Sequence, residues 1–101
     1  MTTPRLLVLR TLLHEPGRER YGLELAGESG LEPGTIYPIL VAFEGEGWLS
    51  SRAEDVDVHR AGRPRRRYYR LTARGVTAAR EATTVADRRR AQRPTRRGLA
   101  W

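Results

Sequence analysis

The chain has 101 residues, 31% of them charged, with 19 basic side chains against 12 acidic ones for a formal +7. All 19 are arginine, whose planar guanidinium forks onto phosphate or guanine, so phosphate-bearing partners come first. A chain this short builds one modest core without a deep substrate cleft, and with no cysteine it has no disulfide framework, thiolate zinc site or cysteine nucleophile.

The chain opens on Thr3 and Pro4, an N-cap and first helical residue, followed by Leu6, Leu9, Leu12 and Leu13 near helical spacing. Arg10 breaks this apolar run far short of the about 20 residues of a membrane span. No small-residue cleavage site follows it, and the chain reads as soluble and cytoplasmic. After the breaker Glu15-Pro16-Gly17, a second helix is expected over 21–29, with Gly30 as its left-handed stop. A turn over 31–34 leads to a third helix from about Thr35. Its apolar positions Ile36, Ile39, Leu40 and Phe43 form a core stripe, and Pro38 is placed in its first turn.

Gly45 and Gly47 end that helix, and the period changes toward two. Residues 48–53 and 66–71 read as paired strands, joined by a polar connection over 54–65. Thr72 then caps a fourth helix through Val76, Ala79, Ala82 and Val85, which stops before Pro94. Its apolar residues are mostly small, so it is expected to need a partner. The fold class is mainly α with a small β-hairpin, in the order of a winged helix-turn-helix plus one C-terminal helix. The expected division is 1–72 for DNA binding, 73–93 for the helix and 94–101 for a tail.

Charge is unevenly divided along this order. Residues 1–59 hold five arginines and ten carboxylates, a net −5, whereas residues 60–101 hold fourteen arginines and two carboxylates, a net +12. The densest run, Arg60 through Arg67, falls at the expected wing tip. Such asymmetry marks nucleic-acid contact, with a merely solubilising surface as the plainer reading.

Tyr21-Gly22-Leu23-Glu24-Leu25, Pro33-Gly34-Thr35-Ile36-Tyr37-Pro38-Ile39-Leu40, Glu44 with Gly47-Trp48-Leu49, and Gly62-Arg63-Pro64-Arg65 with Tyr68-Tyr69-Arg70-Leu71-Thr72 occur in this order. Over about residues 5–76 the chain resembles the PadR-like transcriptional regulators. The resemblance implies a repressor that dimerises through its N- and C-terminal helices and binds an inverted-repeat operator in double-stranded DNA. It also implies release by a phenolic or other hydrophobic effector.

Gly34 permits close backbone approach, and the Thr35 hydroxyl and Tyr37 phenol can donate to phosphate or base edges. The plainer reading is that Thr35 caps and Tyr37 packs. With Pro38 these form the candidate helix contacts. In the wing, Arg63 is expected free to enter a groove, with Arg65, Arg66 or Arg67 on phosphate, although strand alternation forbids all three facing one way. One departure from the family stands out: no cation lies between Pro33 and Gly47, so affinity is expected to rest on the wing and the C-terminal segment.

Trp48 and Trp101 are the candidate effector-stacking residues, with core packing the alternative for Trp48. Asp55, Asp57 and His59 alternate like metal ligands but lack a second clustered histidine, and no metal or other cofactor is expected. No pattern around His14, His59 or the serines resembles a nucleophile elbow or phosphate loop, so no catalytic residue is assigned. The competing readings are a basic RNA-binding or structural protein without sequence preference, and a module that binds a protein partner.

Overall fold

Two glycines and a threonine set the helix boundaries that frame the molecule. The computed structural model describes residues 1–92. Arg93, the expected tail and Trp101 lie outside the described residues. The elements in chain order are α1 (Thr3–Leu13), β1 (Arg20–Tyr21), α2 (Gly22–Ser29), α3 (Pro33–Gly45), β2 (Leu49–Ala53), α4 (Val58–Ala61), β3 (Arg67–Leu71) and α5 (Ala73–Gln92).

Gly30 ends α2 at φ 75°, its N–H donating to the Ala26 carbonyl, and Gly47 follows α3 at φ 78°. Both are left-handed positions that favour glycine. At the other boundary the Thr72 hydroxyl accepts from the Gly75 N–H at 3.0 Å, the N-cap bond expected of it.

Val8, Leu9 and Leu12 of α1, Leu25 and Ala26 of α2, and Ile36, Ile39, Leu40 and Phe43 of α3 form one core with Leu49, Tyr69, Leu71 and Ala79. The α3 stripe lies where its spacing puts it. In α1, Val8 is buried while Leu6 is only half-buried. That helix is apolar around most of its circumference, so spacing alone does not select its inner face.

Four boundaries differ from expectation. Thr2, not Thr3, is the N-cap of α1, because Pro4 presets helical φ and lets Thr3 enter the first turn. Tyr21 lies in a strand before α2. Pro33 nucleates α3 two residues early, so Pro38 is its sixth residue and sits beyond the first turn. It has no N–H for the Gly34 carbonyl, but Gly34 is exposed and water can replace that donor. The fourth difference is α4, a helical turn within the segment expected to be an open loop.

The sheet has three strands rather than two, in the order β1-β3-β2, all pairs antiparallel. Strand β1 is only two residues long, too short for any period to show. Arg20 pairs with Tyr69 and Tyr21 with Tyr68, while β2 and β3 run in register from Leu49–Leu71 to Ala53–Arg67.

Helix α5 packs on α1 of its own chain. The face of α5 that the resemblance sets at a dimer contact meets α1 of its own chain: Ala79 is fully buried in the core, and Val76, Ala82 and Leu13 pack against it. Small side chains bring the α5 backbone close enough to α1 to make this contact. Val85 remains 45% exposed. Among the described residues no helix is long and apolar enough to cross a membrane.

Candidate nucleic-acid interface

The face of α3 opposite the core carries Gly34, Pro38 and Val41, spaced by four and three residues so that they align. Thr35 and Tyr37 flank them. Gly34, Thr35 and Pro38 are exposed, and Tyr37 is 41% exposed. The Tyr37 ring is seated on Gly22 so closely that any side chain at 22 would collide with it. Tyr37 therefore packs with one side of its ring and faces solvent with the other. Thr35 is the third residue of the helix, which is capped instead by the backbone of Glu32.

The wing lies across a cleft from Tyr37. Its tip folds into α4 because Asp57 accepts from the His59 and Arg60 N–H groups and Gly62 stops the turn at φ 66°. Asp57, weighed above as a metal ligand with Asp55 and His59, is thus a helix cap. Among the described residues no three His, Asp or Glu side chains converge on a metal-sized site.

One carboxylate organises the base of the wing. Glu54 accepts both terminal nitrogens of Arg63 at 2.7 and 3.0 Å, the Arg66 N–H at 3.3 Å and the Tyr68 hydroxyl at 3.2 Å. These donors, Arg63 foremost, hold its carboxyl down at about 2. Arg63 is consequently not the free side chain expected: its fork is taken up by Glu54, the bidentate geometry that planar guanidinium favours. Arg66 stacks over Tyr21 at 4.0 Å from the ring centroid, Arg52 lies over Tyr68 at 5.0 Å, and the two tyrosines meet edge to face. Arg65 and Arg67 are exposed, held only lightly by the Val56 carbonyl and the Ser51 hydroxyl. Arg60 is also exposed.

A cleft of about 480 Å³ separates α3 from the wing, lined by Tyr21, Gly22, Leu23, Tyr37 and residues 63–67. Of the expected site residues, it brings Tyr37 together with Arg63, Arg65, Arg66 and Arg67. Gly34, Thr35 and Pro38 lie on α3 outside its lining. Trp48 is elsewhere: its ring packs on Phe43 at 5.2 Å between centroids and borders a groove of about 350 Å³ between α1 and α5, with Met1, Leu6, Ala82 and Val85.

Arg20, counted above only as charge, is 2% exposed. It donates to the carbonyls of Thr11, Leu12 and Glu15 and pairs with Glu28 at 2.6 Å. It thereby caps the C-terminal end of α1 and ties it to α2, fixing the frame on which α3 rests. No local spacing signals this role, because the carbonyls come from a separate element.

Helix-turn-helix followed by a strand pair and a packed terminal helix defines a winged-helix regulator. The family model of the PadR-like transcriptional regulators matches residues 8–81, and the chain belongs to that family. A PadR family transcriptional regulator from Eggerthella lenta superimposes with a TM-score of 0.64 at 25% identity, covering 83% of this chain and 75% of that one. The PcaV transcriptional regulator from Streptomyces coelicolor, in complex with its natural ligand, gives 0.69 at 25% identity, covering 87% and 57%. BpsR of Bordetella bronchiseptica, whose DNA binding is regulated by 6-hydroxynicotinic acid, gives 0.70 at 14% identity, a likeness of fold alone, covering 87% and 61%. The chain thus spans about three-fifths of these last two proteins. No curated protein matches the chain. The family consists of regulators rather than enzymes.

Proposed function

We propose that the chain is a sequence-specific DNA-binding repressor that grips an inverted repeat as a homodimer. The observation that carries this reading is the cleft between α3 and the wing, lined on one side by the exposed Arg65 and Arg67 and on the other by Tyr37 of α3. Helix α3 enters the major groove, with Gly34, Thr35, Tyr37 and Pro38 nearest the bases. Arg60, Arg65 and Arg67 contact phosphate, while Arg63 and Arg66 hold the wing in place. The DNA-binding unit is residues 1–72, with α5 as the dimerisation element. A second copy covers what α1 and α5 leave exposed, chiefly Met1, Leu7 and Val85.

A small hydrophobic or phenolic effector enters the groove beside Trp48 and releases the DNA. Its apolar lining supports this, as do the printed descriptions of PcaV and BpsR. Selection of bound duplexes from random DNA tests the whole reading. An inverted repeat preferred over random duplex by at least about a thousandfold is expected of specific recognition. Equal affinity for all duplexes would favour a basic nucleic-acid binder instead, and sedimentation as a stable monomer would remove the dimer.

A further inference from the structure

Helix α3 has an unusual surface for a helix assigned to the major groove. Its 13 residues include no arginine, lysine, histidine, asparagine or glutamine. The side chains that fork onto guanine or adenine edges are therefore missing from it. Its one charged side chain, Glu44, is taken up by the Ser51 hydroxyl, and the face opposite the core offers Gly34, Pro38 and Val41. Val41 is 66% exposed, the most of any large hydrophobic residue described, and it aligns with Pro38 on the face opposite Ile36, Leu40 and Phe43. Leu23, at the neighbouring cleft, is 58% exposed.

An exposed valine in a helix gains nothing by itself: its branched side chain lowers helix propensity and leaves apolar surface in water. A partner that covers it gains by removing that apolar surface from water. The exposed arginines across the cleft select a polyanion as that partner, and within the major groove of a duplex the apolar feature on a base is the thymine C5-methyl group.

We propose, resting on the DNA-binding reading above, that α3 recognises thymine by its methyl group, with Val41 and Pro38 as the contacting side chains. The helix thereby reads bases without a charged or amide side chain. Thr35 and Tyr37 supply its hydroxyl contacts, and the wing supplies the electrostatic grip.

The test uses the full chain and the duplex recovered by selection, with each thymine replaced in turn by deoxyuridine, which removes only the methyl. One thymine in each half-site is expected to show about fourfold weaker binding on replacement, the size of one buried methyl, and about fifteenfold for both together. In Val41→Ala or Pro38→Ala that penalty shrinks at the same position and no other. Both positions are exposed, so both variants keep the fold. Undiminished affinity at every deoxyuridine position overturns the inference while leaving sequence-specific binding intact. Failure to recover any preferred duplex overturns the DNA-binding reading and the inference with it. A full penalty retained in both variants overturns the residue assignment. Conversion of a dimer to a monomer by Val41→Ala shows that a second copy covers this face, and also overturns it.

Discussion

The two sides of the cleft use opposite chemistry. The α3 side carries no cation and is mostly apolar, and its phenol is seated by direct packing of Tyr37 on Gly22. The wing side is crowded with arginine and held by a carboxylate, two aromatic rings and a capped helical turn. Charge–phosphate attraction is long-ranged and indifferent to sequence, whereas contact with a base edge is short-ranged and specific. The molecule separates these tasks in space. Five arginines lie between residues 60 and 67, yet two of them, Arg63 and Arg66, are committed to building the wing.

The most severe way to break this contrast is to strip the wing. Arg60→Ala/Arg65→Ala/Arg67→Ala is expected to weaken operator binding more than any other change considered, and to make the plot of log K against log salt shallower by about 2.7 for each protomer bound, or about 5.4 for the dimer, at 0.9 per phosphate contact. An unchanged slope in a salt titration would remove these residues from the phosphate contacts. Next is Gly22→Ala, whose new methyl displaces the Tyr37 ring. Because what gives way is the solvent-exposed end of the Tyr37 side chain, the melting temperature is expected to change little, while operator affinity falls at unchanged salt slope.

Tyr37→Phe sharpens the contrast from the α3 side. It removes only a hydroxyl, so about a fivefold loss of affinity for each half-site, equivalent to about 1 kcal/mol, is expected with the salt dependence intact. Smallest is Glu54→Gln, a several-fold weakening that runs against simple electrostatics. Deleting an acid beside DNA ordinarily tightens binding, but here it frees Arg63 and loosens the wing. The Glu54 carboxyl titrates at about 2 in the folded chain against an ordinary 4.5. Its contribution to stability is therefore complete above about pH 4.5 and is lost as pH falls toward 2. Thermal melts of wild type and Glu54→Gln should differ at neutral pH and converge below pH 2.

Much of this architecture is legible in the residues themselves. Gly30, Gly47 and Thr72 announce their boundaries because each supplies a backbone freedom or a cap that the position requires. The Ile36–Phe43 stripe shows its face because its apolar side chains recur at i, i+3, i+4 and i+7, with Val41 the one large aliphatic residue left outside it. Where α1 is apolar nearly all round, the same logic fails. Strand β1 depends on β3, some fifty residues further along, which no local window contains. The partners of Arg20 all lie within nine residues of it, but they are backbone carbonyls and one carboxylate brought together by the turn after α1, and residue types do not announce a carbonyl acceptor. The helix α4 was within reach: Asp57 followed by Gly62 is a cap and a stop, although the alternation of Asp55, Asp57 and His59 points toward a ligand pattern instead. The Glu54 clasp needed the hairpin register, which places residue 54 beside residue 66.

The joint between β2 and α5 has a mechanical consequence. The Trp48 carbonyl accepts the Thr72 N–H at 3.0 Å, the Gly47 carbonyl accepts the Thr72 hydroxyl at 2.6 Å, and Gly75 lies so close to the Trp48 carbonyl that no side chain fits there. With no slack at its root, α5 is a lever welded to the sheet. Twenty residues make an arm of about 30 Å, so tilting the sheet by about 10° swings the far end by about 5 Å. A small rotation at one end of the chain is thus delivered at the other as a displacement larger than a side chain.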